Sequence, residues 1–259
     1  MKIARYVGDD EEPCYGIVTG EPGDQWIAQI TGDPLYTPIS ATGRRVELDE
    51  VRLLAPVIPR SKIVGIARNF ADHAAELGNE VPQAPMMFLK PNTAVIGPDD
   101  PVVIPRQSQN VHYEGELAVV IGRLCKDVPA DQASSVIFGY TCANDVTARD
   151  LQAADGMWSR AKGFDTSCPL GPWIETDLTP EAIQVRTRLD GNLVQDGNTR
   201  QMIHDVPALV AAVSAAFTLL PGDVILTGTP AGVGPVVAGQ RVDVEVEGIG
   251  VLSNPFVRR

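Results

Sequence analysis

The sequence predicts an α+β fold in which strands dominate. Short apolar runs bounded by Gly, Pro and Asp recur along the chain, among them "YGIVTG", "KIVGIA" and "DVILTG". These runs do not alternate regularly with long helical patterns, which argues against a doubly wound sheet. Near the end, "RVDVEVEG" alternates strictly: Val242, Val244 and Val246 share one face, and the acidic residues between them share the other. This pattern predicts a strand with one buried face.

A domain boundary is expected near residue 57, because Pro56 and Pro59 interrupt the chain there. Residues 1–57 contain the strand-like runs "YGIVTG", "QWIAQITGDP" and "RRVELDEVRLLAP" and are predicted to form a small strand-rich domain. Residues 58–259 are predicted to form the larger domain.

Three helices and a hairpin are predicted in the larger domain. "RNFADHAAELGN" is typical of a short helix that Asn69 caps and Gly78 ends. "DVTARDLQAAD" predicts a second helix, and "DVPALVAAVSAAFTLL" a third that stops at Pro221–Gly222. "RLDGNLVQDG" predicts a hairpin with its turn at Asp190–Gly191. "PMMFLKP" and "VIFGYTCAND" are predicted strands.

The composition is that of an ordinary globular protein, with 44% hydrophobic and 21% charged residues and a net charge of -12. Lys and Arg are scattered, and no basic stripe suited to phosphates is present, which excludes nucleic acid as an expected partner. The four cysteines form no C-x-x-C pair and indicate reduced thiols. Without an apolar leader or a stretch long enough to cross a bilayer, the protein is expected in the cytoplasm, with no membrane partner.

Two carboxylates in "NVHYEGELAVVIG" point to a metal site. Glu114 and Glu116 are two residues apart at the start of an apolar strand, so their side chains share one face. At about 4 Å two such charges repel by about 4 kcal/mol at an effective dielectric near 20. With Asp145 of "CANDVTARD" they would offer hard oxygen ligands to Mg²⁺, Mn²⁺ or Ca²⁺. Two alternatives remain open: a solvated pair at a sheet edge, and Asp145 as a helix cap. Gly115, between the glutamates, favours close approach of another group.

A candidate general base lies in "FADHAAELG". His73 and Glu76 are i and i+3 on the predicted helix, so the carboxylate can orient the imidazole. The alternative is an exposed pair on a surface helix.

The other candidate residues are weaker on the sequence alone. His112 shares the face of Glu114, but a packing or indirect role is preferred to metal ligation. His204 is expected to be structural or exposed. Lys162, in "SRAKGFDTSCPLGPW", is a candidate site residue, and the alternative is that it is an ordinary surface lysine.

Several segments, in order, resemble the fumarylacetoacetate hydrolase family over roughly residues 60–255: "NFADHAAELG", "FLKPNTAVIGPDD", "VHYEGELAVVIGR", "GYTCANDVTARDLQ", "RAKGFDTSCPLGPWI" and "PGDVILTGTPAGVG". The resemblance implies a mixed β-roll catalytic domain and a homodimer. The N-terminal residues look like the small accessory domain of many bacterial members.

The resemblance also implies roles for individual residues. Family members bind Mg²⁺ or Mn²⁺ through three carboxylates, with Ca²⁺ an alternative occupant in crystals, and they carry a His–Glu dyad on a segment that closes over the site. The matching positions are Glu114, Glu116 and Asp145 for the metal, His73 and Glu76 for the dyad, Lys162 for the active-site lysine, and Arg149, Gln152 and Thr229 for substrate contacts.

One departure from the family pattern lies just before the dyad. The usual Asn-Tyr is Asn69-Phe70 here, and Arg68 precedes it where a small or apolar residue is common. Arg68 and Asn69 are therefore included among the candidate substrate-binding residues. If Arg68 reaches the pocket, it favours a substrate with a second carboxylate.

The expected activity is metal-dependent hydrolysis of the C–C bond of an acylpyruvate-type 2,4-dioxo acid, such as fumarylpyruvate, to pyruvate and a carboxylic acid through a metal-stabilised enolate. The alternative is a decarboxylase or isomerase of diacids, of the oxaloacetate decarboxylase or 2-hydroxyhepta-2,4-diene-1,7-dioate isomerase type, since the same enolate arises when CO₂ or a proton is lost. A third interpretation is a non-catalytic binding module that a metal stabilises.

Overall fold

The structure, a computed structural model, describes residues 1–8, 12–76, 78 and 80–258. Within these ranges the strands are β1 (Lys2–Val7), β2 (Pro13–Thr19), β3 (Trp26–Ile30), β4 (Ala41–Glu47), β5 (Arg52–Leu54), β6 (Ile63–Ala67), β7 (Met86–Lys90), β8 (Val95–Ile96), β9 (Val102–Val103), β10 (Val111–Tyr113), β11 (Gly115–Ile121), β12 (Ile137–Asn144), β13 (Thr147–Ala148), β14 (Cys168–Glu175), β15 (Gln184–Leu189), β16 (Asn192–Asn198), β17 (Val224–Leu226), β18 (Gly234–Pro235), β19 (Arg241–Val246) and β20 (Gly250–Val257).

Helices are few and short in the described ranges. The α-helices are α1 (Ala71–Glu76), α2 (Arg149–Asp155), α3 (Ser159–Lys162) and α4 (Val206–Ala216). The 3-10 helices are Leu48–Glu50, Asn92–Ala94, Ala130–Ser135, Pro180–Ala182 and Thr199–Gln201. The prediction of an α+β fold dominated by strands is confirmed. None of these helices has the length and apolar character needed to cross a lipid bilayer.

The largest sheet runs in the order β4-β3-β2-β1-β14-β12-β11-β17-β6-β7, and β5 and β8 pair with β1 and β14. The N-terminal strands are continuous with it, because Lys2 and Ile3 of β1 pair with Glu175 and Ile174 of β14. The division into domains of residues 1–57 and 58–259 stays a prediction, and this shared sheet joins the two parts.

A five-stranded sheet, β16-β15-β19-β20-β9, packs on one face of the large sheet. Its strand β19 buries Val242, Val244 and Val246, as the alternating pattern predicts, while the residues between them are half-buried. These valines share a core with Leu117 and Val119 of β11. The alternate β11 residues belong to a second core on the opposite face of the large sheet. Strand β11 is therefore buried on both faces, and it is the strand on which the site is built.

The predicted elements are present with shifted ends. The second predicted helix starts only at Arg149, because residues 147–148 form β13. The third ends at Ala216, before Pro221. The hairpin turn at Asp190–Gly191 is as predicted, since Leu189 pairs with Asn192.

Candidate active site

Antiparallel pairing of β11 with β12 brings three carboxylates together. Gly115 pairs with Asn144, and the Asp145 N–H donates to the Glu114 carbonyl oxygen at 2.9 Å. Glu114, Glu116 and Asp145 therefore meet at one end of the strand pair, with ligand oxygens within 4.8 Å of one another. Their exposed fractions are 4%, 2% and 1%, which rules out a solvated edge pair.

Two buried lysines neutralise part of this charge. The Lys162 ammonium lies 2.7 Å from Glu114 Oε2 and 2.6 Å from Asp145 Oδ2. The Lys90 ammonium lies 2.7 Å from Asp145 Oδ1 and also donates to the Lys162 carbonyl oxygen. Lys162 is 3% exposed, so it is not a surface lysine, and Asp145 binds the two lysines instead of capping α2. We call Glu114, Glu116, Asp145, Lys90 and Lys162 the carboxylate–lysine cluster.

Lys90 was not predicted from the sequence. It ends β7, where Leu89 is half exposed and Lys90 is buried. Strand alternation places Lys90 on the same face as Phe88, which lines the cavity described below. That alternation is the only sequence signal for a buried lysine here.

Glu116 is the carboxylate without a cation. Within the described part of the chain it has no ion pair, and its Oε2 accepts one hydrogen bond, from the Gly228 N–H at 2.7 Å. Burial, together with the charges of Asp145 and Glu114, raises its pKa well above the usual value. By contrast, Lys162 and Arg149 lower the pKa of Glu114 despite its burial. A divalent cation would supply the positive charge that Glu116 lacks, and three carboxylates are the hard ligands that Mg²⁺ and Mn²⁺ prefer. The buried triad therefore fits a divalent metal.

Close packing against Gly115 holds the glutamates in place. Its N–H donates to Gln195 Oε1 at 3.0 Å, and its carbonyl accepts from the Thr229 hydroxyl at 2.9 Å. A Cβ at this position would lie 2.0 Å from the Thr187 Oγ1 atom, so only glycine fits. The expected close approach at Gly115 is confirmed.

The His73–Glu76 pair lies on the six-residue helix α1. His73 Nδ1 is 3.4 Å from Glu76 Oε2, and the Gly232 N–H donates to both Glu76 oxygens, at 3.1 and 3.2 Å. His73 is buried, whereas the Glu76 side chain is 34% exposed. Burial lowers the pKa of His73 although Glu114 and Glu76 raise it, so its imidazole is neutral near pH 7.

A cavity of about 330 Å³ joins these groups. Most of the predicted site residues line it: His73, Lys162, Glu114, Glu116, Asp145, Arg68, Arg149, Gln152 and Thr229. Apolar walls come from Ile66, Ala67, Phe88, Ala153 and Trp158. Of these, Phe88 faces the Lys162 ammonium, which lies 4.9 Å from its ring centre.

Arg149 belongs to both the cluster and the cavity. Its guanidinium forms an ion pair with Glu114 and donates to Gln152 Oε1 at 3.0 Å. This arrangement fixes Arg149 and Gln152 side by side on the first turns of α2.

Two predicted site residues, Asn69 and Glu76, are not among those lining the cavity: Glu76 reaches the site only through His73, and Asn69 binds backbone groups. The Asn69 amide donates to the carbonyl oxygens of His204 and Thr227 at 2.9 and 2.8 Å and accepts from the His204 N–H at 2.9 Å. It does not cap α1, which begins at Ala71. The structure therefore favours an anchoring role for Asn69 at the root of α1.

The two remaining histidines lie outside the cavity lining. His112 is half-buried beside Asn110, with Nε2 3.0 Å from the Asn110 Oδ1 atom, and burial lowers its pKa to about 4. His204 is also half-buried and, through its backbone, holds Asn69.

Two family models match the chain. The model described as "Fumarylacetoacetate (FAA) hydrolase C-terminal" matches residues 62–257, and the one described as "Rv2993c-like, N-terminal" matches residues 1–56.

Among curated relatives, protein Rv2993c of Mycobacterium tuberculosis is 54% identical over 264 residues, covering 100% of this chain and 99% of that protein. The mitochondrial oxaloacetate tautomerase fahd2 of Xenopus laevis is 43% identical over 219 residues, covering 80% of this chain and 69% of that protein.

Solved structures show the same fold. A 5-carboxymethyl-2-hydroxymuconate delta-isomerase from Mycobacterium smegmatis superposes with a TM-score of 0.93 at 49% identity, with both chains fully covered. A fumarylpyruvate hydrolase from Pseudomonas aeruginosa, in complex with Mn²⁺ and pyruvate, superposes with a TM-score of 0.74 at 33% identity, covering 80% of this chain and 92% of that one.

Proposed function

The chain belongs to the fumarylacetoacetate hydrolase family, and from that premise we propose that it is a divalent-metal-dependent hydrolase of acylpyruvate-type 2,4-dioxo acids. One observation carries the proposal: a buried triad suited to a divalent cation lines the same cavity as His73, whose Nδ1 faces Glu76. The products would be pyruvate and a carboxylic acid.

Glu114, Glu116 and Asp145 are the residues that would hold the metal. When bound, Mg²⁺ or Mn²⁺ would supply a fixed positive charge beside the 2-oxo acid end of the substrate. The Mn²⁺ and pyruvate named for the Pseudomonas aeruginosa hydrolase support this assignment.

His73 is proposed to take a proton from a water molecule through Nε2, because its Nδ1 faces Glu76. The water oxygen bonds to C4 of the substrate, the C3–C4 bond breaks, and its electron pair goes to C3. The proton that His73 took from the water is then delivered to C3, which gives pyruvate and the carboxylic acid. Two N–H groups of the Lys162 ammonium donate to Glu114 and Asp145. The third N–H is left to donate to the substrate oxygen that becomes negatively charged. The neutral state of His73 near pH 7 suits it to accept a proton.

The second candidate function is proton transfer or decarboxylation on a 2-oxo diacid. It is favoured by the names of two similar proteins, the Mycobacterium smegmatis isomerase and the Xenopus laevis oxaloacetate tautomerase. The same triad and lysine would serve it, but no attacking water is needed.

A panel of substrates separates the two candidates. With Mg²⁺, purified protein should release pyruvate from acetylpyruvate and fumarylpyruvate, and EDTA should stop the release. In parallel, CO₂ release from oxaloacetate measures decarboxylation, and the decay of the absorbance of enol-oxaloacetate measures tautomerisation; both are activities of the second candidate function. Turnover of oxaloacetate or a hydroxydienoate without pyruvate release from any acylpyruvate would overturn the first choice.

The homodimer that the resemblance implies is part of the same proposal. Sedimentation velocity should give twice the chain mass of 27.7 kDa. A monomer at micromolar concentration would contradict it.

A further inference from the structure

Two described arginines line the cavity, Arg68 and Arg149, and of these only Arg68 forms no ion pair or side-chain hydrogen bond with another described residue. Arg149 is bound to Glu114 and Gln152. Within the described part of the chain, Arg68 has no hydrogen-bond or ion-pair partner, and it is half-buried. A partly buried guanidinium without an anion is unusual, because burial of charge is costly unless the charge is paired.

The backbone at Arg68 is held in an unfavourable conformation. Its φ is 57°, in the left-handed region that non-glycine residues rarely adopt. The next residue, Asn69, is fixed by His204 and Thr227, and the preceding strand β6 is paired with β17 and β7. The sharp turn therefore lies between two anchored segments, and it places Arg68 at the cavity.

We infer that Arg68 binds the distal carboxylate of the substrate and is the residue by which this site selects diacids over monoacids. The inference rests on the proposed function for the identity of the proximal, 2-oxo acid end. The other charges around the cavity support the inference. The negative charges of Glu114, Glu116 and Asp145 are balanced in number by Lys90, Lys162 and Arg149. A divalent metal and Arg68 then give an excess of positive charge that a dianion matches better than a monoanion.

Binding of two unreactive ligands tests this inference without turnover. 2-Oxoglutarate and 2-oxopentanoate have the same chain length and differ only in a terminal carboxylate or methyl group. Neither has the 4-oxo group that hydrolysis requires. By isothermal titration calorimetry on the Mg²⁺-loaded full-length protein, the diacid should bind about 10- to 100-fold more tightly, the gain expected for a charge-assisted hydrogen bond. The preference should shrink as salt is raised, because Arg68 is only half-buried.

Substitution then assigns the preference to one residue. Arg68→Met keeps the length and the Cβ atom, so the backbone cost at φ 57° is unchanged. It should abolish the diacid preference and leave the affinity for 2-oxopentanoate within about twofold, since that ligand makes no charge-assisted bond with the guanidinium. Arg68→Lys should keep part of the preference. Arg123→Met, at an exposed site outside the cavity lining, is the matched control and should keep all of it.

The outcomes distinguish this inference from the proposed function. Equal binding of the two acids by the wild type, no measurable binding of the diacid, or an undiminished preference in Arg68→Met would overturn the inference. A diacid preference that depends on Arg68, without hydrolysis of any acylpyruvate, would overturn only the proposed hydrolase. If Arg68→Met does not fold, as judged by circular dichroism, Arg68→Gln takes its place with the same expected loss of preference.

Discussion

Compared with the carboxylate–lysine cluster, the His73–Glu76 pair is held by few contacts. No member of the cluster is more than 4% exposed, and its carboxylates are fixed by strand pairing, two lysines and the Gly228 N–H. The pair lies on a helix of six residues, where Glu76 is 34% exposed and is held mainly by the Gly232 N–H.

This difference in structure matches the different roles proposed for the cluster and for the His73–Glu76 pair. Carboxylates that lie close together need a rigid site in which cations and hydrogen-bond donors offset their charge. A residue that must contact first water and then substrate is better placed on a short segment with few buried contacts, because local opening of such a segment costs little free energy. Changes in the cluster should therefore affect stability and metal binding, whereas changes in the pair should affect turnover.

Glu116→Gln should have the largest effect on activity. It keeps the size of the side chain and an acceptor for Gly228, but it removes the charge that a divalent cation requires. Mg²⁺-dependent turnover should fall by about 1000-fold, since a catalytic metal contributes several kcal/mol. In metal-free protein the same change removes a repulsive charge, so the melting temperature should rise. Wild-type turnover in this variant, or turnover in metal-free buffer, would show that the triad is not a catalytic metal site.

Lys90→Met should give the largest loss of stability. It leaves Asp145 Oδ1 without its ammonium partner inside the protein, and removing one partner of a buried ion pair costs about 3–5 kcal/mol. Urea unfolding measures the loss. Lys126→Met is the matched control: this lysine is 41% exposed, and its loss should cost about 1 kcal/mol or less. Equal losses in the two variants would mean that the buried position of Lys90 has no special role.

His73→Ala should reduce hydrolysis by about 100-fold or more, the usual contribution of a general base. Its urea midpoint and its affinity for 2-oxo acids, measured by calorimetry, should change little, because α1 is short and the metal ligands are intact. If hydrolysis is unchanged, His73 is not the base, and another group must take the proton from the attacking water.

The sequence was most informative where local periodicity decides geometry. The i, i+2 spacing predicted that Glu114 and Glu116 share a face, and the alternation in β19 predicted its buried valines. It could not show that Asp145 joins them, because that depends on the register between β11 and β12. The resemblance supplied this contact.

Two residues show the limits of reasoning from single segments. Asn69 precedes a helix and resembles a cap, yet its amide is used by backbone groups 135 and 158 residues away. Lys90 precedes a proline at the end of a strand and has the local sequence of an ordinary exposed lysine. Only the fold shows that it completes the Asp145 site.

Glu76→Gln should have the smallest and most diagnostic effect. His73 acts as a neutral base, so kcat/KM should fall as the pH drops through the pKa of His73, which burial holds below its usual 6.5. Glu76 raises that pKa through its hydrogen bond and its charge, so its removal should move this acid limb to still lower pH. Because Glu76 is 34% exposed and screened by solvent, the shift should be small but measurable. The profile of kcat/KM between pH 4.5 and 8, measured at saturating Mg²⁺, tests this. A limb that moves to higher pH, or one that is the same in Glu76→Gln, would mean that the titrating group is not the imidazole that Glu76 contacts, and the proton acceptor would have to be sought within the carboxylate–lysine cluster.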